Sequence, residues 1–327
     1  MDHGLGGGFG YGRTIELYGN WSSGKTMLLY YALANNQRFG GDSILIESEG
    51  AFDDDFFATL GGDPSKLLVF ADDETSTVER VFKLIEQICL KVSKLGGSRP
   101  VCVGWDGIAA TGTDHLEEKG MDVVDMSHPK MVSQGCKLVT NKIHKAGICV
   151  IATNQTRENY KTKDSEPTTP GGKAWKFHAS QRLELKFDGG TKTSIITDSN
   201  DFELGRWVVG YVSKNKLATP FARFRLPIYT ATGLPHPVYK GRKTQLGIDT
   251  DQTLFSYYQI GRFFVNDKCE RVVVSAGDKG GWFLLHPSID KSQTKFHAGD
   301  WPKKLEQFPK LKTLLYDDLE IDPDRVA

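Results

Sequence analysis

The sequence predicts an α/β fold: a mainly parallel central sheet covered by helices, extended by antiparallel strands and followed by a small α+β piece. Three observations predict it. Short apolar strands alternate with helical segments over the first part of the chain, an order that needs crossover connections and buries both faces of a sheet. A glycine-rich turn joins the first strand directly to the first helix. Beyond residue 181 apolar runs alternate with turn residues and no helix between them, the pattern of antiparallel strands.

Taken in order, residues 13–18 (RTIELY) read as a strand, 25–36 as a helix and 43–47 as a second strand. The clearest helix is 78–95, where Val78, Val81, Phe82, Ile85, Ile88, Cys89 and Val92 recur at helical spacing. Gly96 and Gly97 stop it, with Pro100 close behind. Residues 101–105 form a third strand, interrupted by Gly104 and Trp105; 130–145 form a helix and 148–153 a fourth strand. Such crossovers are almost always right-handed. The runs 182–187, 193–197, 207–214 and 221–228 read as the antiparallel extension. Gly233, Pro235 and Pro237 mark a boundary, giving a core of residues 1–234 and a C-terminal domain of residues 235–327. That domain holds an amphipathic segment, 301–315, and an acidic tail expected to fray. The glycine-rich opening, 4–12, reads as a flexible lead-in, and no internal repeat is present.

Composition narrows the function classes. The chain of 327 residues is 39% hydrophobic and 25% charged, which suits a folded globule rather than a disordered chain. Its 41 Lys and Arg balance 41 Asp and Glu, so a globally basic nucleic-acid binder is excluded while a local basic patch is not. Apolar runs such as 148–152 are far short of the roughly 18 residues of a membrane span, and no secretory leader opens the chain. Cys89, Cys102, Cys136, Cys149 and Cys269 lack CxxC spacing, so they read as packing residues of a cytoplasmic protein rather than metal ligands.

The chemistry begins at Gly19, Asn20, Trp21, Ser22, Ser23, Gly24, Lys25 and Thr26, a full match to GxxxxGK[ST] between a strand and a helix. Glycines let the main chain wrap with its N–H groups inward, and those amides with the helix N-terminus form a nest for phosphate oxygens. Lys25 then neutralises the terminal phosphates and the Thr26 hydroxyl ligates Mg2+. A second metal-side carboxylate belongs at the end of a neighbouring strand, where Asp106 stands. A group to orient the attacking water is also needed. Glu47 and Glu49 both end the second strand, and a period of two cannot choose between them. Asp53, Asp54 and Asp55 read mostly as solvated loop charges.

In order and spacing, residues 19–26, Leu45 to Asp53 (LIESEGAFD), Asp106, Ala152 to Gln155 (ATNQ), Gly171 to Ser180 (GGKAWKFHAS) and the Lys214-Asn215-Lys216 triplet resemble the bacterial RecA recombinases. The resemblance covers residues 8–230 well and the C-terminal domain weakly, and divergence elsewhere suits a phage or otherwise distant member. It implies a RecA-type ATPase core with ATP and Mg2+ as cofactors. It assigns Glu49 as the catalytic glutamate, Asp53 and Phe56 to adenine, and Gln155 to sensing the γ-phosphate. Lys214 and Lys216 match lysines that reach ATP on a neighbouring subunit. It also implies a function: an ATP-dependent DNA recombinase that binds single-stranded DNA, pairs it with homologous duplex DNA and exchanges strands, hydrolysing ATP at subunit interfaces of a helical filament.

Two loops then face single-stranded DNA. The second, 156–172, interleaves Arg157, Lys161 and Lys163 with Tyr160, a composition suited to backbone tracking and base stacking. Gly171, Gly172, Lys173 and Lys176 extend it. The first, within 112–129, is acidic through Asp114, Glu117, Glu118, Asp122 and Asp125, leaving Met126 as a wedge and Lys130 as a phosphate contact. Two departures stand out. The family's N-terminal helix and strand pack on the adjacent subunit, whereas here the first core strand begins near residue 13, so filament assembly is in question for this chain. Trp21 replaces an acid in the phosphate turn. Two alternatives stay open: a ring-forming helicase-type motor on the same core, and a non-catalytic nucleotide-binding recombination mediator.

Overall fold

A computed structural model describes residues 1, 5–96, 99–120, 126–156, 168–239, 241–253, 272–276 and 282–311. The chain runs β1 (Arg13–Gly19), α1 (Lys25–Arg38), β2 (Asp42–Glu47), α2 (Asp54–Thr59), β3 (Leu67–Phe70), α3 (Val78–Lys94), β4 (Val101–Asp106), α4 (Asp114–Lys119), α5 (His128–Ala146), β5 (Cys149–Gln155), α6 (Gly172–His178) and β6 (Gln181–Phe187). There follow β7 (Ile195–Thr197), β8 (Glu203–Asn215), β9 (Arg223–Tyr229), β10 (Gly247–Ile248), β11 (Val273–Ser275), β12 (Trp282–Leu285), β13 (Phe296–His297) and α7 (Trp301–Gln307). Two compact units divide it: Met1–Lys186 with Tyr211–Ala222, and Phe187–Gly210 with Arg223–Ala327.

In the first unit the strands lie in the order β6-β1-β5-β4-β2-β3, every pair parallel. Parallel pairing sends all their C-terminal ends to one edge, which is where loops gather to bind ligands in such sheets. β6 corrects the sequence expectation. Read as antiparallel, it is parallel to β1, with Ile15 opposite Gln181 and Gly19 opposite Leu185. The cause is α6, a seven-residue helix between β5 and β6 that the pattern did not reveal and that supplies a crossover.

The face carrying α3 and α5 is built as the periodicity of α3 requires. Val78, Val81, Phe82, Ile85, Ile88 and Cys89 are buried, and Thr77 caps the helix by accepting from the Arg80 amide. Phe82 and Trp175 meet Trp105 edge-on at centroid distances of 5.5 and 5.7 Å. On the opposite face, α1 lies so close to β4 that a Cβ on Gly104 would sit 2.8 Å from Leu29 Cδ1. The interruption of that strand by glycine is therefore what admits the helix.

The opening glycines are not a free lead-in either. Leu5 is fully buried, its carbonyl accepts from Asn215 Nδ2 at 3.0 Å, and Gln181 bonds both Gly8 O and Gly10 N at 3.0 Å. Side-chain amides from distant strands thus hold the main chain of this glycine-rich segment. Cys89, Cys102, Cys136 and Cys149 are buried free thiols; Cys269 lies outside the described residues.

In the second unit β7 pairs antiparallel with β8, and β10 with β9. The three-stranded antiparallel sheet β11-β12-β13 has its own core, in which Phe283, Leu285, Phe296, Trp301 and Leu305 are buried. Within the expected amphipathic segment the helix is α7; residues 312–327, with the acidic tail, lie outside the described residues. Among the described residues no helix is long and apolar enough to cross a membrane.

Candidate nucleotide-binding site

The 19–26 loop leaves β1 at the C-terminal edge of the sheet. Gly19 is flanked by Gln155 of β5 and Leu185 of β6, and a Cβ there would stand 2.1 Å from the Leu185 carbonyl oxygen. Ser22 (φ 56) and Gly24 (φ 86) adopt left-handed conformations that curl the loop into the first turn of α1. No side chain caps that turn and no acid occupies it, so the helix N-terminus keeps donors and positive potential for an anion. Ser23 is buried and donates to Asn20 O at 2.8 Å; Lys25 Nζ donates to the same oxygen at 2.7 Å. The loop is stitched to the end of β5: Thr156 donates its hydroxyl to Asn20 Oδ1 and its amide to Gly19 O. Trp21 is 72% exposed.

Beside it, Asp106 ends β4 and is buried, opposite Glu47 in register. The Thr153 hydroxyl donates to its carboxylate. Burial raises its pKa, and the Thr153 and Thr26 hydroxyls with the Lys25 charge pull it back. Glu47 and Glu49, inseparable by periodicity, separate in space. Glu47 is buried, and one of its oxygens accepts the amides of Glu49 and Gly50 at 2.6 and 2.9 Å. It builds the turn. Glu49 lies past the point where the chain leaves the sheet, and its Oε1 is 3.0 Å from where a Gly107 Cβ would be. Burial and the Asp106 charge raise its pKa; Lys25 lowers it. Burial likewise lowers the Lys25 pKa, against the pull of Asp106 and Glu49.

These residues fit ATP and Mg2+. Gly19 lets the loop start against the β6 main chain, and Gly24 supplies the left-handed turn that points the α1 amides toward the loop. Thr26 and Asp106 offer the hard oxygen donors that Mg2+ prefers beside phosphates and water. The second Glu47 oxygen is buried with no partner among the described residues, a further acceptor next to Asp106.

The remaining sequence-predicted residues fall into three groups. Asp53 accepts from the Phe56 amide at 2.6 Å as the cap of α2, and Phe56 packs on Tyr30 with centroids 5.9 Å apart. Gln155 is exposed beside Gly19. Lys214 is engaged within its own chain: Nζ donates to the carbonyls of Lys176 and Phe177 at 2.8 Å, at the end of α6. Burial and the neighbouring Lys216 lower the Lys214 pKa to about 8. Lys216 is exposed. In the first expected DNA loop, α4 occupies six residues, Met126 is 83% exposed and Lys130 is exposed in the first turn of α5. Gly171 (φ 83) caps α6, Gly172 begins it, and Lys173 and Lys176 are exposed on it. Asp122, Asp125, Arg157, Tyr160, Lys161 and Lys163 lie outside the described residues.

Sequence reasoning missed Thr153 and Thr156, and also the buried set Glu16, Asn154 and Arg182. Charges set among the apolar residues of two strands, RTIELY and QRLELKF, were the available signal.

A phosphate loop between the first parallel strand and its helix, with an acid ending a nearby strand, defines the P-loop class of nucleotide-binding folds. Residues 1–235 match the family described as RecA N-terminal domain, and the chain belongs to the RecA family. Protein RecA of Prochlorococcus marinus (strain MIT 9211) is 34% identical over 236 residues, which are 72% of this chain and 60% of that protein. Protein RecA of Synechococcus sp. (strain CC9902) is 33% identical over 72% of this chain and 59% of its own length. The chain thus spans about 60% of the length of the curated relatives it matches. Among solved structures, a crystal structure of the RadB recombinase superposes with a TM-score of 0.47 at 20% identity, covering 69% of this chain and 92% of that one.

Proposed function

We propose that this chain is an ATP-dependent DNA recombinase, cytoplasmic, that binds single-stranded DNA, pairs it with homologous duplex DNA and exchanges strands, with ATP held between subunits of a helical filament. The observation that carries the reading is the convergence of the 19–26 loop, the Thr26–Asp106 pair and the Glu49 carboxylate at one edge of the sheet. ATP bound with Mg2+ supplies a γ-phosphoryl group whose charge the metal offsets. The loop amides and the α1 N-terminus hold the phosphates, and Lys25 exchanges the Asn20 carbonyl for them. Thr26 and Asp106 hold the metal. The Glu49 carboxylate orients the attacking water and accepts its proton. Asp53 and Phe56 hold the adenine, Gln155 reads the terminal phosphate, and Lys214 and Lys216 serve the site of an adjoining subunit. Met126, Lys130, Arg157, Tyr160, Lys161, Lys163, Gly171, Gly172, Lys173 and Lys176 hold DNA. This division of labour assigns the chemistry to residues 1–234 and gives no role to residues 235–327.

The test is ATP turnover with and without single-stranded DNA, with Lys25→Ala and Glu49→Gln as controls. Stimulation by DNA that both variants abolish is expected. Equal turnover with and without DNA rejects the coupling. Electron microscopy with ATP and single-stranded DNA is expected to reveal helical filaments; closed rings or monomers reject the assembly.

A further inference from the structure

Two hydroxyls at the end of β5 have no part in the chemistry proposed above. β5 lies between β1, which leads into the phosphate loop, and β4, which ends in Asp106. Its register sets Ala152 opposite Trp105 and Gln155 opposite Gly19. Thr153 is thus level with Asp106, and Thr156 comes one residue after the position level with the start of the loop. The strand end spans the two halves of the candidate site, the metal-side carboxylate and the phosphate cradle.

Thr153 is 2% exposed and follows the buried apolar residues Val150, Ile151 and Ala152. Its hydroxyl donates to Asp106 Oδ1, and its main-chain oxygen accepts the Ile108 amide at 3.0 Å. One residue therefore holds both the carboxylate and the main chain just beyond it. Asp106 is itself 3% exposed, so an apolar residue in place of Thr153 would take this donor from a buried carboxylate oxygen. A donor on Oδ1 also sets the rotation of the carboxylate, and with it the direction in which its oxygens face a cation. The bond stands close to Glu49: a Cβ on Gly107 would lie 2.7 Å from Thr153 Oγ1 and 3.0 Å from Glu49 Oε1. Thr156 holds the other half. Its hydroxyl donates to Asn20 Oδ1 and its amide to Gly19 O at 3.2 Å. Asn20 is the residue whose carbonyl accepts Ser23 Oγ and Lys25 Nζ.

We infer that Thr153 and Thr156 are positioning residues that keep the two halves of the nucleotide site in register: Thr153 aims the Asp106 carboxylate at the divalent cation, and Thr156 fixes the phosphate loop through Asn20. The inference rests on the proposed reading that this site takes ATP with Mg2+. The two hydroxyls differ in what they act through, and so in what their loss does. Thr153 works through a carboxylate that meets the cation, so its removal weakens only the binding that includes the cation. Thr156 works through the loop, so its removal weakens nucleotide binding with and without the cation alike.

The experiment titrates the full chain with a fluorescent, slowly hydrolysed ATP analogue, once at millimolar magnesium and once with magnesium removed by a chelator. Thr153→Val keeps the shape and loses the hydroxyl. Its affinity at millimolar magnesium is expected to fall about tenfold, with metal-free affinity unchanged. For Thr156→Val both affinities are expected to fall by the same factor, about fivefold. Thr153→Ser keeps the hydroxyl without the methyl and is expected to restore the effect of magnesium. Where Thr153→Val does not fold, Thr153→Ser against Thr153→Ala carries the comparison, since that pair differs in the hydroxyl alone. An unchanged magnesium effect in Thr153→Val overturns the role given to Thr153, and so does an equal loss in the Val and Ser variants, which would mean that shape decides. Loss of metal-free affinity in Thr153→Val overturns the division between the two threonines, as does a Thr156→Val effect confined to magnesium. A wild-type chain that ignores the analogue, or binds it no better with magnesium, rejects the proposed nucleotide and metal site, and the inference falls with it.

Discussion

Replacing Gly19 by alanine tests the phosphate loop at the point where sheet and loop are least able to yield. The new Cβ would lie 2.1 Å from Leu185 O and 3.0 Å from Ser23 Oγ. The first of these is main chain in a paired strand, so relief requires Gly19 to lift from β6 by about 1 Å. That movement carries it toward Gln155, its register partner in β5, and disturbs the bond from the Thr156 amide to Gly19 O at 3.2 Å. A displacement of about 1 Å in groups that position a ligand costs on the order of a hundredfold. The stability cost of one forced methyl is smaller, about 1–3 kcal/mol. Calorimetric titration of Gly19→Ala with a slow ATP analogue at millimolar magnesium is therefore expected to give about hundredfold weaker binding in a protein that still folds. Gly61→Ala is the control: Gly61 is also left-handed (φ 88), but no atom lies within 4 Å of its Cβ position. It should cost about 1–2 kcal/mol of backbone strain without touching affinity. Wild-type affinity in Gly19→Ala would refute the claim that these main-chain groups grip a polyphosphate.

Glu49→Gln should lower turnover by about 10²–10⁴-fold while leaving nucleotide affinity intact, whereas Glu47→Ala, which strips two main-chain amides of their charged acceptor, should cost about 1–3 kcal/mol in urea denaturation; the reverse pattern would exchange their roles. The Lys214 pKa of about 8 predicts that DNA-stimulated turnover falls as pH rises past that value, and that Lys214→Arg, which stays charged, extends activity to higher pH. Its folded pKa lies below the ordinary 10.5, so its own contribution to stability rises between those two values. Unfolding driven by Lys214 therefore cannot mimic the effect, and an identical alkaline limb in the variant would reject it. Gly135→Ala would put a Cβ within 2.0–2.4 Å of three Phe82 ring atoms, with Trp105 edge-on against that ring. A loss of about 1–3 kcal/mol in urea denaturation is expected, and an unchanged midpoint would mean that α3 and α5 pack less closely than described.

What could be read in the sequence depended on whether the physics was local. The 19–26 turn, the α3 periodicity and Asp106 at a strand end are each set within a few residues, and each is found where the pattern put it. Glu47 and Glu49 could not be separated because a period of two holds only while the chain stays in the sheet. Ser48 already donates its amide to Asp106 O at 2.7 Å, and the next residues turn away. β6 was misassigned because its crossover helix has seven residues, below the length at which periodicity speaks. α2 and β3, at six and four residues, escaped for the same reason. The opening glycines misled differently. Composition signals freedom, yet the constraint comes from Gln181 and Asn215, more than 170 residues away. Glu16 and Arg182 were visible as charges in apolar strands; that they are partners was not, across 166 residues.

The electrostatics of the site argue for the same occupant as its shape. Burial works against every charge there at once, raising the pKa of Asp106, Glu49 and Glu47 and lowering that of Lys25. Mutual attraction between Lys25 and the carboxylates offsets only part of this. A ligand that was simply anionic would relieve Lys25 and aggravate three acids; a lone dication would do the opposite. A polyphosphate carrying a divalent cation presents both signs, phosphates toward the lysine and amides, metal toward Asp106 and the Thr26 hydroxyl. The arrangement is preorganised in the sense that matters for catalysis, because its dipoles and charges are held by strand ends and helix termini and need not reorient when charge moves during reaction. Lys25 is the exception. It rests on Asn20 O, within its own loop, and is the one charged group of the set that must change partner for the proposed chemistry to begin.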